Sequence, residues 1–272
     1  MKDVAATPSI MKLTRHFVEK PWGRTDLPSA FAAPDGKRIG EIWYESDESP
    51  TLPLLVKWLF TSEKLSIQVH PTDAQAAARG LPSGKEECWY IVDAEPGAVL
   101  GIGTKRPLDA AELRAASLSG EIEDLIDWKP VRAGDYFYIP AGTVHAIGAG
   151  ITLVEVQQYA DVTYRLFDYG RPRELHLDDG VAVSRAEPYG DPRSGHIAPD
   201  VYLADGPVFW LRSLATRSYS RSDFASGRCW LIPVQGKVYC DDQVVEIGEC
   251  MVTSAFDAII VDDAAICLIA GA

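Results

Sequence analysis

The sequence predicts a mainly β protein of two consecutive β-barrel units, the first carrying a short helical insertion and the second degenerate. Three observations lead there. The apolar residues fall in short runs rich in β-branched and aromatic side chains, separated by Gly, Pro and charged residues, which is the pattern of strands and turns. The segment from Pro107 to Asp127 departs from that pattern and favours helix. Residues 201–272 echo short stretches of the first half in the same order.

Taken in order, residues 1–30 show little periodicity, and Glu19-Lys20-Pro21-Trp22-Gly23-Arg24 reads as turn-rich. Strands are expected at Arg38–Tyr44, Leu54–Phe60 and Leu65–His70. Thr72–Gly80 reads as one or two helical turns stopped by its glycine. Cys88–Val92 and Ala98–Ile102 read as strands again. In the insertion, about 107–127, Asp109 with Glu112 three residues on makes a capping-box signature ahead of the helix-favouring run Ala110–Ala116. A second short helix is expected around Glu121–Ile126. Strand character returns at Tyr136–Ile139, Thr152–Gln157 and Thr163–Phe167.

Ser184–Asp200, with Pro188, Gly190, Pro192, Gly195 and Pro199, is the natural boundary. The expected division is a metal-binding catalytic unit at 1–185, a linker at 186–200 and the degenerate unit at 201–272. In the echo, Cys229-Trp230-Leu231-Ile232 matches Cys88-Trp89-Tyr90-Ile91, and Val245–Glu249 matches Val131–Asp135. Nothing in the second copy corresponds to His145, so that copy reads as structural.

With 272 residues the chain can bury a sizeable core, and its composition is that of an ordered globular protein. Apolar stretches are short and broken by charge, so no membrane span is expected, and Met1–Ala6 lacks the apolar core of a signal peptide. A cytoplasmic location follows. Cys88, Cys229, Cys240, Cys250 and Cys267 form no CxxC pair, which argues against a disulfide framework or a cysteine metal site. The 39 acidic against 26 basic residues give a formal charge of -13, unfavourable for nucleic acid or an anionic membrane as partner. A small anion held by a local Lys/Arg cluster stays compatible with it.

The candidate chemistry lies in three pieces. On a strand, residues two apart share a face, so Gln68 and His70 look into one space. Glu87 and His145 would complete a mixed N/O set suited to a borderline divalent ion, zinc first. Set against this, a lone strand histidine is usually a satisfied polar group, and Gln is an uncommon ligand.

Gly134-x5-Pro140-x-Gly142-x2-His145 resembles the second motif of the cupin barrels, with Ala149 where that motif usually has Asn. Gln68 in place of the first histidine of the first cupin motif is similar to the type I phosphomannose isomerase (mannose-6-phosphate isomerase) family in its short bacterial form. The resemblance runs through Ser66–Asp73, Gly84–Ile91, Pro140–Ala146 and Asp161–Tyr169. It implies a metal-dependent aldose–ketose isomerase acting on mannose 6-phosphate and fructose 6-phosphate, with one zinc ion per chain held by Gln68, His70, Glu87 and His145. The family's Lys-Thr-Glu-Met appears here as Lys85-Glu86-Glu87-Cys88, and Glu87 is taken as the ligand for its place beside Trp89-Tyr90. The resemblance further implies Lys85, Glu155 and Arg165 as catalytic residues, with Arg165 stabilising charge and Lys85 or Glu155 as acid/base. Ser66, Lys85 and Arg165 would touch the substrate. Trp22-Gly23 and Glu41 also fit the family pattern, Glu41 with no chemical role attached. The partner implied is a small phosphorylated sugar, with no oligomeric state specified. The alternatives are a metal cupin of another reaction type, such as a ferrous dioxygenase, and a non-catalytic sugar-binding cupin.

Overall fold

The computed structural model describes residues 10–47, 52–198, 200–215 and 227–272. Met1–Ala6, read above for a targeting signal, lies outside these residues, as does 216–226 within the second unit.

The expected strands form two antiparallel sheets in the first unit. One has seven strands in the order Ser194–His196, Asp135–Ile139, Glu87–Ala94, Ile151–Gln158, Leu54–Phe60, Ile39–Glu45, Thr14–Arg24. The other has five, in the order Tyr164–Phe167, Ile67–Val69, His145–Ile147, Val99–Thr104, Ile126–Pro130. Alternation sorts their side chains by face. On Glu87–Ala94, Trp89 and Ile91 join an inner apolar cluster with Leu59, Leu100, Ile102, Ile147 and Leu153, whereas Cys88 and Tyr90 point to the opposite face. That inner cluster fills one end of the barrel and leaves the other end for polar groups.

Helices cover the outer face of the five-stranded sheet. Ala110–Ser119 carries the expected capping box, with Asp109 accepting from Glu112 N and Glu112 accepting from Asp109 N, and Gly120 closes it at φ 86°. Ile122–Leu125 follows, and Thr72 caps the short helix Asp73–Ala77. Leu113, Ala116 and Ile122 pack with Ile67, Val69, Val144 and Leu166.

Several elements depart from expectation, among them the strand Ser194–His196, which lies inside the expected linker and pairs with Asp135–Ile139. Thr14–Arg24 is a long edge strand, not a turn-rich segment; its register breaks at Val18/Glu19 and again before Arg24. An edge strand tolerates Pro21, which has no ladder hydrogen bond to donate there. Ile126–Pro130 is likewise an edge strand, beginning within the last residues of the expected insertion. Leu177–Val183 is a helix hidden by its mid-helix Gly180, which is kept small because a Cβ there would meet Leu166 Cδ2 at 2.7 Å.

In the second unit, six strands order as Ile10–Lys12, Met251–Thr253, Cys229–Gln235, Ile266–Gly271, Trp210–Leu214, Tyr202–Asp205. They face the three-stranded sheet Gln243–Glu246, Lys237–Cys240, Ile259–Val261 across an interior of Leu214, Leu231, Val238, Phe256 and Ile269. The sequence echo is also an echo of turn geometry. Gly134 and Gly248 sit at φ 90° and 85°, and the acid after each accepts the backbone N–H three residues back, Arg132 N to Asp135 at 3.0 Å and Glu246 N to Glu249 at 2.9 Å. One apolar cluster joins the two units: Trp58, Phe60, Tyr90 and Tyr138 with Phe209, Trp230, Ile232 and Leu268. Tyr44 Oη donates across it to Gly248 O at 2.7 Å. All five cysteines are free and buried. Among the described residues no helix is long and apolar enough to cross a membrane.

Candidate metal centre

Two cross-strand rows build the site. In the five-stranded sheet, Arg165, Gln68 and His145 are direct register partners on neighbouring strands, so their side chains line up on the inner face. Facing them, Lys57, Glu155 and Trp89 are register partners across the seven-stranded sheet, and Glu87 lies two residues before Trp89 on its strand. The turn before His145 is set by Gly142 at φ 87°, whose N–H donates to His70 O at 2.8 Å and so ties the two histidine segments together.

His70, Glu87 and His145 place one ligand atom each within 4.8 Å of one another, all buried. His70 Nδ1 donates to Val162 O at 2.8 Å and His145 Nδ1 to Thr143 O at 2.9 Å. A carbonyl can only accept, so both rings carry the proton on Nδ1 and turn the Nε2 lone pair inward. Those lone pairs face Glu87, at 3.5 Å from His70 and 3.4 Å from His145. Burial, followed by the Lys85 charge, pushes His70 down to about 3, and burial also lowers His145. Neutral imidazoles cannot balance a carboxylate. Both Glu87 oxygens are buried without a hydrogen bond of good geometry, although Lys85 Nζ stands 2.9 Å from Oε2. Two lone pairs and a buried carboxylate aimed at one point fit a divalent cation. Gln68 lies alongside, with Nε2 3.3 Å from His145 Nε2 and Oε1 accepting from Ser66 Oγ at 3.0 Å. A half-turn of its amide would offer the oxygen to the same point.

Glu86, the competing carboxylate, turns away and accepts from Tyr138 Oη. Lys85 and Glu155 stand beside the cluster, Lys85 Nζ 3.3 Å from His70 Nε2 and 3.5 Å from Glu155 Oε1. Glu155 Oε2 accepts from the Trp89 indole at 3.0 Å. Burial would raise Glu87, but Lys85 and then His70 hold it well below the usual carboxylate range; burial and the Glu87 charge lift Glu155 above it. For Lys85 burial works downward, yet Glu155 and Glu87 outweigh it and raise its value. The two neighbouring carboxylates are thus driven apart, Glu87 downward and Glu155 upward.

A cavity of about 350 Å³ opens over these groups, lined by Ser66, Gln68, Lys85, Glu155 and Arg165 among others. Arg165 is the outermost of the expected residues, its Nε donating to Glu174 O at 2.9 Å. The cavity also includes residues that strand reading passed over: Lys20, Lys57 and Arg173, besides Trp22 and Glu41. Glu41 is buried; burial would raise its value, but the charge of Lys57, followed by Lys20, lowers it. The available signal for Lys57 was a single charge inside the otherwise apolar run Leu54–Phe60.

No family model matches the chain. A mannose-6-phosphate isomerase of Streptococcus mutans is 40% identical over 146 residues, 52% of this chain and 46% of its own. YvyI of Bacillus subtilis, provisionally named a mannose-6-phosphate isomerase, is 35% identical over 216 residues, 64% of this chain and 68% of its own. The chain belongs to the mannose-6-phosphate isomerase family. It spans about half the length of the first curated relatives it matches, 46% and 51%. The fold extends further than the sequence similarity within this mannose-6-phosphate isomerase family. A solved mannose 6-phosphate isomerase from Bacillus subtilis superimposes with TM-score 0.81 at 24% identity over 97% of this chain and 100% of its own. Another, titled as holo and zinc-bound, gives 0.69 at 14% identity over 96% and 99%.

Proposed function

We propose that this chain is a metal-dependent aldose–ketose isomerase that interconverts mannose 6-phosphate and fructose 6-phosphate. The observation carrying the reading is the convergence of His70 Nε2, His145 Nε2 and the buried Glu87 carboxylate beneath a cavity edged by lysine and arginine. Zinc is the ion we assign, one per chain, with Gln68 as the fourth ligand; the donor chemistry supports it, as does the zinc-bound title of a structural neighbour. When bound, such an ion supplies Lewis-acid polarisation of the sugar's carbonyl and hydroxyl oxygens.

The chain's own residues then divide the work. Glu155, held at Oε2 by the Trp89 indole and flanked at Oε1 by the Lys57 and Lys85 ammoniums, takes the proton from C2 of the aldose and delivers it to C1. The hydroxyl proton of O2 passes to O1 in the same conversion, so two hydrogens change place and nothing is consumed. Lys85 stays an ammonium between Glu87 and Glu155 and donates to a sugar oxygen. Arg165, permanently protonated, faces the charge that develops there. Ser66, Lys20 and Arg173 receive the phosphate, and the bulk of Trp22 limits the sugar end of the cavity.

We assign the chemistry to residues 1–185, with 186–200 as connector and 201–272 as a structural unit. A cytoplasmic location is our reading from five free buried cysteines. The deciding experiment is metal analysis with a coupled assay on mannose 6-phosphate. Zinc with turnover supports the isomerase. Iron with oxygen consumption, or sugar phosphate binding without turnover, would replace it with a dioxygenase or a binding module.

A further inference from the structure

Lys57 is a buried ammonium with no role of its own in the steps above. It sits at the centre of the seven-stranded sheet, 4% exposed, in direct register with Glu155 on one side and Trp43 on the other. Among the described residues Glu155 is the one carboxylate within 4 Å of its Nζ, at Oε1 and 3.5 Å. Trp43 carries it on the opposite side, with Nζ 4.4 Å from the ring centroid. The indole is itself fixed: Trp43 Nε1 donates to Glu41 Oε2 at 2.6 Å, and Lys20 Nζ stands 3.4 Å from Glu41 Oε1. The result is a file of alternating charge from the cavity mouth inward, Lys20, Glu41, Lys57, Glu155, Lys85, Glu87.

A buried ammonium is expensive unless its place in the structure returns something. Lys85 cannot serve Glu155 alone, because it lies closer to Glu87, 2.9 Å against 3.5 Å. Glu155 therefore needs a second cation that Glu87 does not share, and Lys57 is in register to provide it.

We propose that Lys57, seated on Trp43, is a positioning residue that holds Glu155 Oε1 toward the substrate by sharing it with Lys85 at equal distance. The inference rests on the isomerase reading and sharpens it. Without Lys57 the carboxylate turns to its remaining cation, Lys85, and the proton-transfer geometry is lost while substrate binding is kept.

The test is a kinetic cycle on the full chain, with metal content measured on each variant. Lys57→Met is expected to lower kcat by about a hundredfold, the usual scale for a misplaced acid/base, with KM changed less than about threefold and metal content unaltered. Lys57→Arg restores part of the rate. Added to Glu155→Gln, Lys57→Met costs nothing further, because the group it positions is already disabled. A full additional loss in that background, or an unchanged kcat for Lys57→Met, overturns the proposal. If Lys57→Met does not fold, Glu41→Gln and Trp43→Phe carry the same cycle, with smaller losses of kcat that vanish beside Glu155→Gln; losses that persist there overturn it equally. A wild-type chain inactive on mannose 6-phosphate would instead refute the isomerase reading, a separate outcome.

Discussion

At the metal centre each side chain's role is set by what holds its far end. His145 has one nitrogen committed to Thr143 O and the other 3.4 Å from Glu87. Replacing it with Ala removes a proposed ligand and leaves the carboxylate with one imidazole. His145→Ala is expected to lose bound metal on dialysis together with isomerisation; wild-type metal stoichiometry by elemental analysis would refute its place in the set. Arg165 hangs from Glu174 O at the edge of the cavity and touches no candidate ligand by a hydrogen bond. Arg165→Ala should therefore keep the metal and lower kcat/KM by about a hundredfold, the scale of one lost charge-stabilising donor; an unchanged steady-state rate would remove it from the site. Much of this geometry was legible in the sequence, since period-2 alternation alone puts Gln68 with His70 and Lys85 with Glu87. The choice of Glu87 over Glu86 came from the family resemblance, its place beside Trp89-Tyr90, because alternation alone is inverted by one residue of slip in register. Lys57 escaped notice, and Glu41 was seen without a role, because a charge within an apolar strand is locally indistinguishable from an error of strand phase.

Elements place these side chains through close backbone contacts more than through propensity. Gly84 is a tight case beside the site: a Cβ there would lie 2.5 Å from Asp73 N and 2.6 Å from Pro71 O, both backbone atoms that cannot yield. Its N–H also donates to Asp73 Oδ1 at 2.7 Å, and Lys85 N donates to Pro71 O at 3.0 Å. Gly84 thus locks the segment after His70 to the one leading into Glu87. Gly84→Ala is expected to shift Lys85 and Glu87 together, weakening metal retention and lowering the melting temperature; a variant with normal metal content and thermal stability would show that the contact relaxes freely. The capping box of Ala110–Ser119 is a milder case, far from the site. Asp109→Ala should cost about 1 kcal/mol of stability by denaturant titration and leave kcat unchanged. That box was readable from two residues, because capping is local chemistry. Thr14–Arg24 was not, since an edge strand carrying Pro21 is specified by its partner Ile39–Glu45, not by its own sequence.

For the whole molecule, the decisive feature is the apolar layer between the outer face of the seven-stranded sheet and the six-stranded sheet. Trp58 and Trp230 are both fully buried in it, one from each unit. The chain also crosses it at the start, with Ile10–Lys12 pairing Met251–Thr253 and Thr14–Arg24 pairing Ile39–Glu45. The inner row of the metal site and this layer are opposite faces of the same strands: Glu155 looks inward between Val154 and Val156, which look outward. Loss of the outer layer therefore removes the support on which the inner row is aligned. Trp230→Ala, more than any single site change, should test this, because it deletes a large side chain from the second unit and touches no catalytic candidate. We expect it to destabilise by about 3–5 kcal/mol, in one cooperative transition in which circular dichroism and metal release report the same midpoint. Two separated transitions, with metal retained through the first, would mean that the second unit unfolds alone and that the layer does not hold the site.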